Sequence, residues 1–148
     1  QKRAREMAAI AAEAKRVADI LAEVPSSFCG TLDYHIKRRG YTNEKMEERT
    51  GISSRMIQDY RKKKDSNITL QSVLALCIGL NLQPAFSYDL ILKAGFNIMT
   101  AKDEHLIYRY LIEHHHMENI FMWNEKLQDA GIPQQLPKNG NKMTAPEK

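Results

Sequence analysis

The stretch from Thr42 to Tyr60 constrains this chain most, because it places one glycine, Gly51, between two capping residues, Thr42 and Ser53. The Thr42 hydroxyl can accept an orphan N–H near Lys45, which predicts a helix of barely two turns over Asn43–Thr50, stopped by Gly51. Ser53 opens a third helix in the same way, with Met56, Ile57 and Tyr60 as its apolar edge up to the run Arg61 to Lys64. Helices this short do not persist alone in water. They must be held by neighbouring helices, and the rest of the chain supplies candidates.

Upstream, residues 2–24 lack Gly and Pro and carry Met7, Ile10, Ala14, Val17, Leu21 and Val24 at alternating spacings of three and four, an a/d seam on a helix. Met7, Ile10, Val17 and Leu21 are the candidate dimer seam; docking of the same face on the chain's own domain is the competing reading. Pro25-Ser-Ser closes that helix, and Phe28, Leu32 and Ile36 line the next one, which ends in a basic turn at Gly40. Downstream, Thr69 caps a strongly apolar helix through Leu70, Val73, Leu74, Cys77 and Ile78. Pro84 starts another that Gly95 ends, and Thr100-Ala-Lys-Asp103 looks like a capping-box start for a helix to about His114. A last helix is expected from about Glu118 to Ala130, with Ile120, Trp123 and Leu127 on one face. No segment alternates with period two, so the expected fold is all-α. The expected divisions are an amino-terminal helix over 1–25, a compact unit over 26–83, a helical extension over 84–132, and a disordered tail over 133–148.

Charge narrows the function. From Asp33 to Asp65 ten basic side chains face six acidic ones, and this excess equals the +4 of the whole chain. One short segment therefore holds the candidate polyanion-facing surface. No apolar run is long enough to cross a membrane, no secretory leader is recognisable, and Cys29 and Cys77 form no CxxC unit, so a cytoplasmic chain with reduced thiols is expected. The chain opens at Gln1 without Met, as a processed chain or a piece of a longer protein would.

The stretch TNEKMEERTGISSRMIQDYRKK, beginning at Thr42, resembles the helix-turn-helix of Xre-type repressors, the class of phage repressors and Cro proteins. The register runs on without a gap through Thr69-Leu-Gln-Ser-Val-Leu to Leu82, and backward to Gly40 and the helix before it, so that the resemblance covers about residues 28–82. It implies a repressor-like helix-turn-helix bundle that binds double-stranded DNA as a homodimer, with the third helix in the major groove. Carried over position by position, it makes Ser54, Arg55, Gln58 and Asp59 the candidate base readers, and Thr42, Asn43, Lys62, Lys63 and Lys64 the candidate phosphate contacts. Four positions depart from the family pattern: Glu47 where Ala is usual, Ile36 and Arg61 where an Arg and a Glu often pair, and Ile68 for a common Pro. With that pair absent at both ends, Arg61 is expected to turn toward solvent, Glu47 or DNA, and Ile36 to pack.

Other residues promise less. His114, His115 and His116 are consecutive, so a regular helix points them apart, and a solvated helix junction without metal is the better reading. No HExxH, GxSxG, P-loop or dinucleotide fingerprint is present, which leaves an enzyme no visible chemistry, and no cofactor is implied. The alternative to a DNA-binding regulator is a helix-turn-helix-fold interaction module of a longer phage or mobile-element protein, without specific DNA reading. An exposed third helix favours the regulator; a covered one favours the module.

Overall fold

The computed structural model describes residues 1–62 and 67–137, and over these the chain is all-α. In order come α1 (Lys2–Glu23), α2 (Phe28–Arg39), α3 (Asn43–Thr50), α4 (Ser54–Tyr60), α5 (Leu70–Gly79), α6 (Pro84–Lys93), α7 (Asp103–His114) and α8 (Ile120–Asp129). Local chemistry sets most of these bounds. Ser27, Thr42, Ser53 and Thr69 each accept a backbone N–H from the residue three positions on, at 3.0 to 3.2 Å. Gly40 and Gly51 close α2 and α3 in the left-handed region, at φ 71° and 76°, where a side chain would be strained.

The centre of the fold is α5, buried from Val73 to Gly79. A helix apolar on every side needs partners all round it. They are Leu32 and Ile36 of α2, Met46 of α3, Ile57 of α4, Phe86 and Leu90 of α6, and Trp123 and Leu127 of α8, each at most 1% exposed. Gly79 lets α3 approach, since a Cβ there would lie 2.4 Å from Thr50 Cγ2.

Several expectations need correction. Thr100 does not cap α7: its hydroxyl accepts from Lys102 N at 3.2 Å and lies 2.6 Å from His105 Nδ1, and the helix begins three residues later, at Asp103. The last helix starts at Ile120, because Asn119 is its cap, accepting from Met122 N at 2.9 Å. Chain order beyond Pro133 persists to the end of the described stretch: Leu136 is 3% exposed, and its backbone pairs both ways with the Asn124 amide, at 2.7 and 3.2 Å. The remainder of the expected tail, 138–148, lies outside the described residues. The histidine run is the junction between α7 and α8, with His114 exposed and His115 and His116 partly buried, and it is more firmly tied than a merely solvated one. His115 Nδ1 lies 2.6 Å from Glu118 Oε2, and the His115 carbonyl accepts from buried Trp123 Nε1 at 2.9 Å. Among the described residues no group of His, Cys, Asp and Glu could hold a metal ion, and no helix is long and apolar enough to cross a membrane.

The α1 seam divides in two. Val17 and Leu21 pack partly buried on the chain's own core, whereas Met7 and Ile10 are 58% and 57% exposed. The seam is therefore not one continuous surface free for a second copy, because its carboxy-terminal half is already used within the chain.

The extension after α5 contains a structural repetition that sequence reading missed. α6 and α8 begin at Pro84 and Ile120 and end at Lys93 and Asp129, both pairs 36 residues apart. Their ends carry the same backbone bonds: Phe96 N to Ile91 O matches Ile132 N to Leu127 O, and Gly95 and Gly131 both take positive φ. α5 and α7 end 35 residues apart, at Gly79 and His114, the difference being one extra residue in the second connection. Thus α6 and α8 repeat one length and one ending at matching distances after α5 and α7, but the packing differs: α5 lies against α6, whereas α7 packs mainly on α6 and α8 mainly on α5.

One buried group sets a pH dependence. His35 is fully buried in α2, its ring centroid 5.3 Å from that of Phe86, and among the described residues Nε2 has no hydrogen-bond partner. Burial first, then repulsion from Arg38, pushes its pKa from 6.5 down to about 4. The folded ring stays neutral where the unfolded one takes a proton, so stability should fall as pH drops from about 6.5 to about 4. Urea melts across that window should show the slope, and a His35→Leu variant should lack it. An equal slope in both would assign it to other groups.

Candidate nucleic-acid interface

α4 is seven residues long, and its buried side is Ile57 and Tyr60. Residues three and four apart share a helix face, so Arg55, Gln58, Asp59 and Lys62 form one row opposite that buried side, with Ser54 at its edge. Arg55, Gln58 and Lys62 are exposed, and Ser54 and Asp59 are partly exposed. Arg55 makes no hydrogen bond or ion pair among the described residues, so its guanidinium is available. The four candidate readers thus lie along one accessible edge. Lys63 and Lys64, the remaining candidate phosphate contacts, lie outside the described residues.

The turn between α3 and α4 is braced from inside. Thr50 Oγ1 donates to Met46 O at 2.7 Å and accepts from Ile52 N at 3.0 Å. Glu47 then explains itself: its Oε1 accepts from Ser54 N at 2.7 Å, so this carboxylate satisfies a first-turn amide of α4 and sits at the positive end of that helix. A residue that departs from the family pattern therefore fastens the two helices rather than separating them.

The expectation for Arg61 is overturned. Its Nε donates to Asp33 Oδ1 of α2 at 2.7 Å, and Nη1 donates to Asn43 Oδ1 of α3 at 2.7 Å. Arg61 therefore turns inward, neither to solvent nor to Glu47, because a carboxylate on α2 three residues before Ile36 takes its charge. Ile36 is fully buried, as its packing role requires. Asp33 also pairs with Lys37 at 2.9 Å. Burial works to raise the Asp33 pKa, but the hydrogen bonds from Lys37 and Arg61 outweigh it and hold the carboxyl below its ordinary value.

These bonds extend to the reading edge. Asn43 Nδ2 donates to Gln58 Oε1 at 2.5 Å, so Asp33, Arg61, Asn43 and Gln58 form one chain across three helices. Asn43 and Gln58, expected to meet phosphate and base separately, are brought together and hold each other. Thr42 is occupied as a cap, with its hydroxyl 3.0 Å from Lys45 N. A second clamp was also missed. Arg49 of α3 donates to Gly79 O and to Asn81 Oδ1, and its guanidinium lies 5.3 Å from the Tyr41 ring centroid. Asn81 in turn donates to His116 O and Glu118 O, at 3.0 and 3.1 Å. The only sequence signal for Asn81 was an Asn in a short connection between helices, a place where φ can turn positive; here it is 47°.

Residues 31–85 match a family model described as a Cro/C1-type helix-turn-helix DNA-binding domain. That span contains α3, α4 and the clamps that hold them, and it agrees with the Xre-type resemblance of the sequence. No curated protein and no solved structure matches the chain.

Proposed function

We propose that this chain is a transcriptional regulator that reads double-stranded DNA with α4 in the major groove and acts as a homodimer. The observation that carries the reading is the row Arg55, Gln58, Asp59 and Lys62 along one accessible edge of α4, uncovered by α1, α7 or α8. An interaction module that had lost DNA reading has no reason to keep that edge bare and cationic. In this reading Arg55 pairs bidentately with a guanine, and Asp59 accepts from a cytosine amino group. Ser54 and Gln58 are the neighbouring base contacts. Lys62, Lys63 and Lys64 meet phosphates with their side chains. Thr42 and Asn43, whose side chains are engaged, meet them with their backbone N–H groups at the start of α3. All five position the helix without reading sequence. Association rests on Met7 and Ile10, the half of the seam that the chain does not use itself. Two copies on two half-sites supply the affinity that one small module lacks.

Selection from a random duplex library, with salt dependence measured on the selected sequence, tests this reading. A selected site should emerge with a steep loss of affinity in salt. Arg55→Ala should then cost about 1–3 kcal/mol and relax preference at one base pair, whereas Lys62→Ala should weaken all sequences alike and shallow the salt slope by about one unit. Equal, sequence-independent losses for both variants would leave Arg55 as a phosphate contact and favour the interaction module.

A further inference from the structure

We propose that the exposed face of α7 is the docking site for the amino-terminal half of α1 from a second copy of this chain. The inference rests on the dimer reading above and names the surface that Met7 and Ile10 meet. Two hollows of about 410 and 840 Å³ share Leu106, Ile107 and Ala130, so they form one trough along α7 beside the end of α8. Leu106 and Tyr110 stand in it 46% and 59% exposed. Adjacent large apolar side chains left open on one helix mark an interaction surface.

Comparison with the corresponding positions of α5 says what kind of element fits there. On α5, Gly79 meets Thr50 of α3, and Ala75 lies one turn before it on the same stripe. Tyr110 and His114 stand at the same two positions of α7, 35 residues on, with ring centroids 4.5 Å apart. The face of α5 that meets α3 thus has a bare counterpart on α7. Because its residues are large where Ala75 and Gly79 are small, the helix that fits it must bring small residues of its own.

The free half of α1 has that character. Ala4, Met7, Ile10, Ala11 and Ala14 share one face of it, by spacings of three and four. Its carboxy-terminal half is held on its own chain, by Gln83 Nε2 donating to Glu13 at 2.9 Å and Tyr34 Oη donating to Glu23 at 3.3 Å, which leaves Met7 and Ile10 for another molecule. Charge agrees. Lys2, Arg3 and Arg5 outweigh Glu6 in the free half, and Asp103 and Glu104 outweigh Lys102 at one end of the trough. Length agrees as well, since residues 2–12 span roughly 16 Å and the twelve residues of α7 span roughly 18 Å. Reciprocal exchange of the same arm gives a closed two-fold pair, the symmetry that two DNA half-sites require.

Cross-linking decides between this arrangement and a coiled coil of α1 with α1. In a Cys29→Ser background, Met7→Cys and Leu106→Cys chains are prepared separately and treated with a short bismaleimide, alone and mixed. Covalent dimers should form in the mixture and far less in either chain alone. In sedimentation, the parent should run at twice its 17.0 kDa mass, and Leu106→Glu with Tyr110→Glu should raise the dimer dissociation constant about tenfold or more while helicity is kept. Met7→Cys chains that cross-link as well alone as in the mixture would overturn the docking site and leave the dimer standing. So would a helical Leu106→Glu, Tyr110→Glu variant of unchanged mass. A parent that stays at 17.0 kDa at every concentration would overturn docking site and dimer together.

Discussion

Arg61→Glu should destabilise the protein by about 3 kcal/mol or more, against about 1–2 kcal/mol for Arg61→Ala. Arg61 is 16% exposed and Asp33 30%, so the pair is dry enough for its loss to register. Alanine removes two charge-assisted hydrogen bonds, one to Asp33 and one to Asn43. Glutamate removes the same bonds and adds a carboxylate facing Asp33. Restoring the family's pairing through Ile36→Arg should fail, since Ile36 is fully buried and an arginine there would put a charge into the core. Reversing the observed pair should succeed in part: Asp33→Arg combined with Arg61→Glu should recover about 0.5–3 kcal/mol by coupling. Lys37, 2.9 Å from Asp33, keeps that rescue incomplete. Urea melts of the four variants decide the matter, and an Arg61→Glu protein as stable as Arg61→Ala would remove Asp33 as the partner. Because Asn43 also holds Gln58, Arg61→Ala should weaken DNA binding even though Arg61 faces away from the reading edge.

The other large effect is expected at Asn81, where the helix-turn-helix unit is tied to the connection between α7 and α8. Its Oδ1 accepts from Arg49 of α3, its Nδ2 donates to His116 O and Glu118 O, and its own carbonyl accepts from Arg39 at 2.9 Å. Asn81→Ala deletes the three side-chain bonds and places a Cβ residue without compensating polar contacts at φ 47°, for a loss of about 3–4 kcal/mol. Asn81→Gly loses the same bonds but tolerates the backbone, so it should melt between the parent and Asn81→Ala, about 1 kcal/mol above the latter. Hydrogen exchange should locate the damage. Amides of α7 and α8 should lose protection first, since their tie to α3 is cut while their own packing on Trp123 remains. Uniform loss of protection along the chain would mean that Asn81 serves the whole fold equally.

Some of this protein was written locally. Thr42 caps with Lys45 and Ser53 with Met56, contacts three residues long, and Gly40 and Gly51 end their helices by their own φ. A cap needs only its neighbours, so the two short helices, the turn between them and the spacing that puts Arg55, Gln58 and Asp59 on one edge of α4 were legible before any coordinates. Helix starts failed where two local signals competed: Thr100 bonds its own loop and leaves the start of α7 to Asp103.

What lay out of reach depends on which distant side chains face each other. Arg61 finds Asp33 across 28 positions, and Asn81 finds Glu118 across 37. A charged residue on a helix surface carries no mark of its partner, and the family pattern pointed Arg61 away from the one it has. Leu136 looked like tail until Asn124 offered its backbone both halves of an amide pair. The bare stripe of α7 was invisible for the same reason, since Leu106, Ile107 and Tyr110 have the spacing of any core-facing helix. Caps, glycines and apolar spacing act within a few residues, so the helices and the row of readers follow from the order of the chain alone. Which faces are already taken does not, because burial is settled by packing between segments that the chain order keeps far apart.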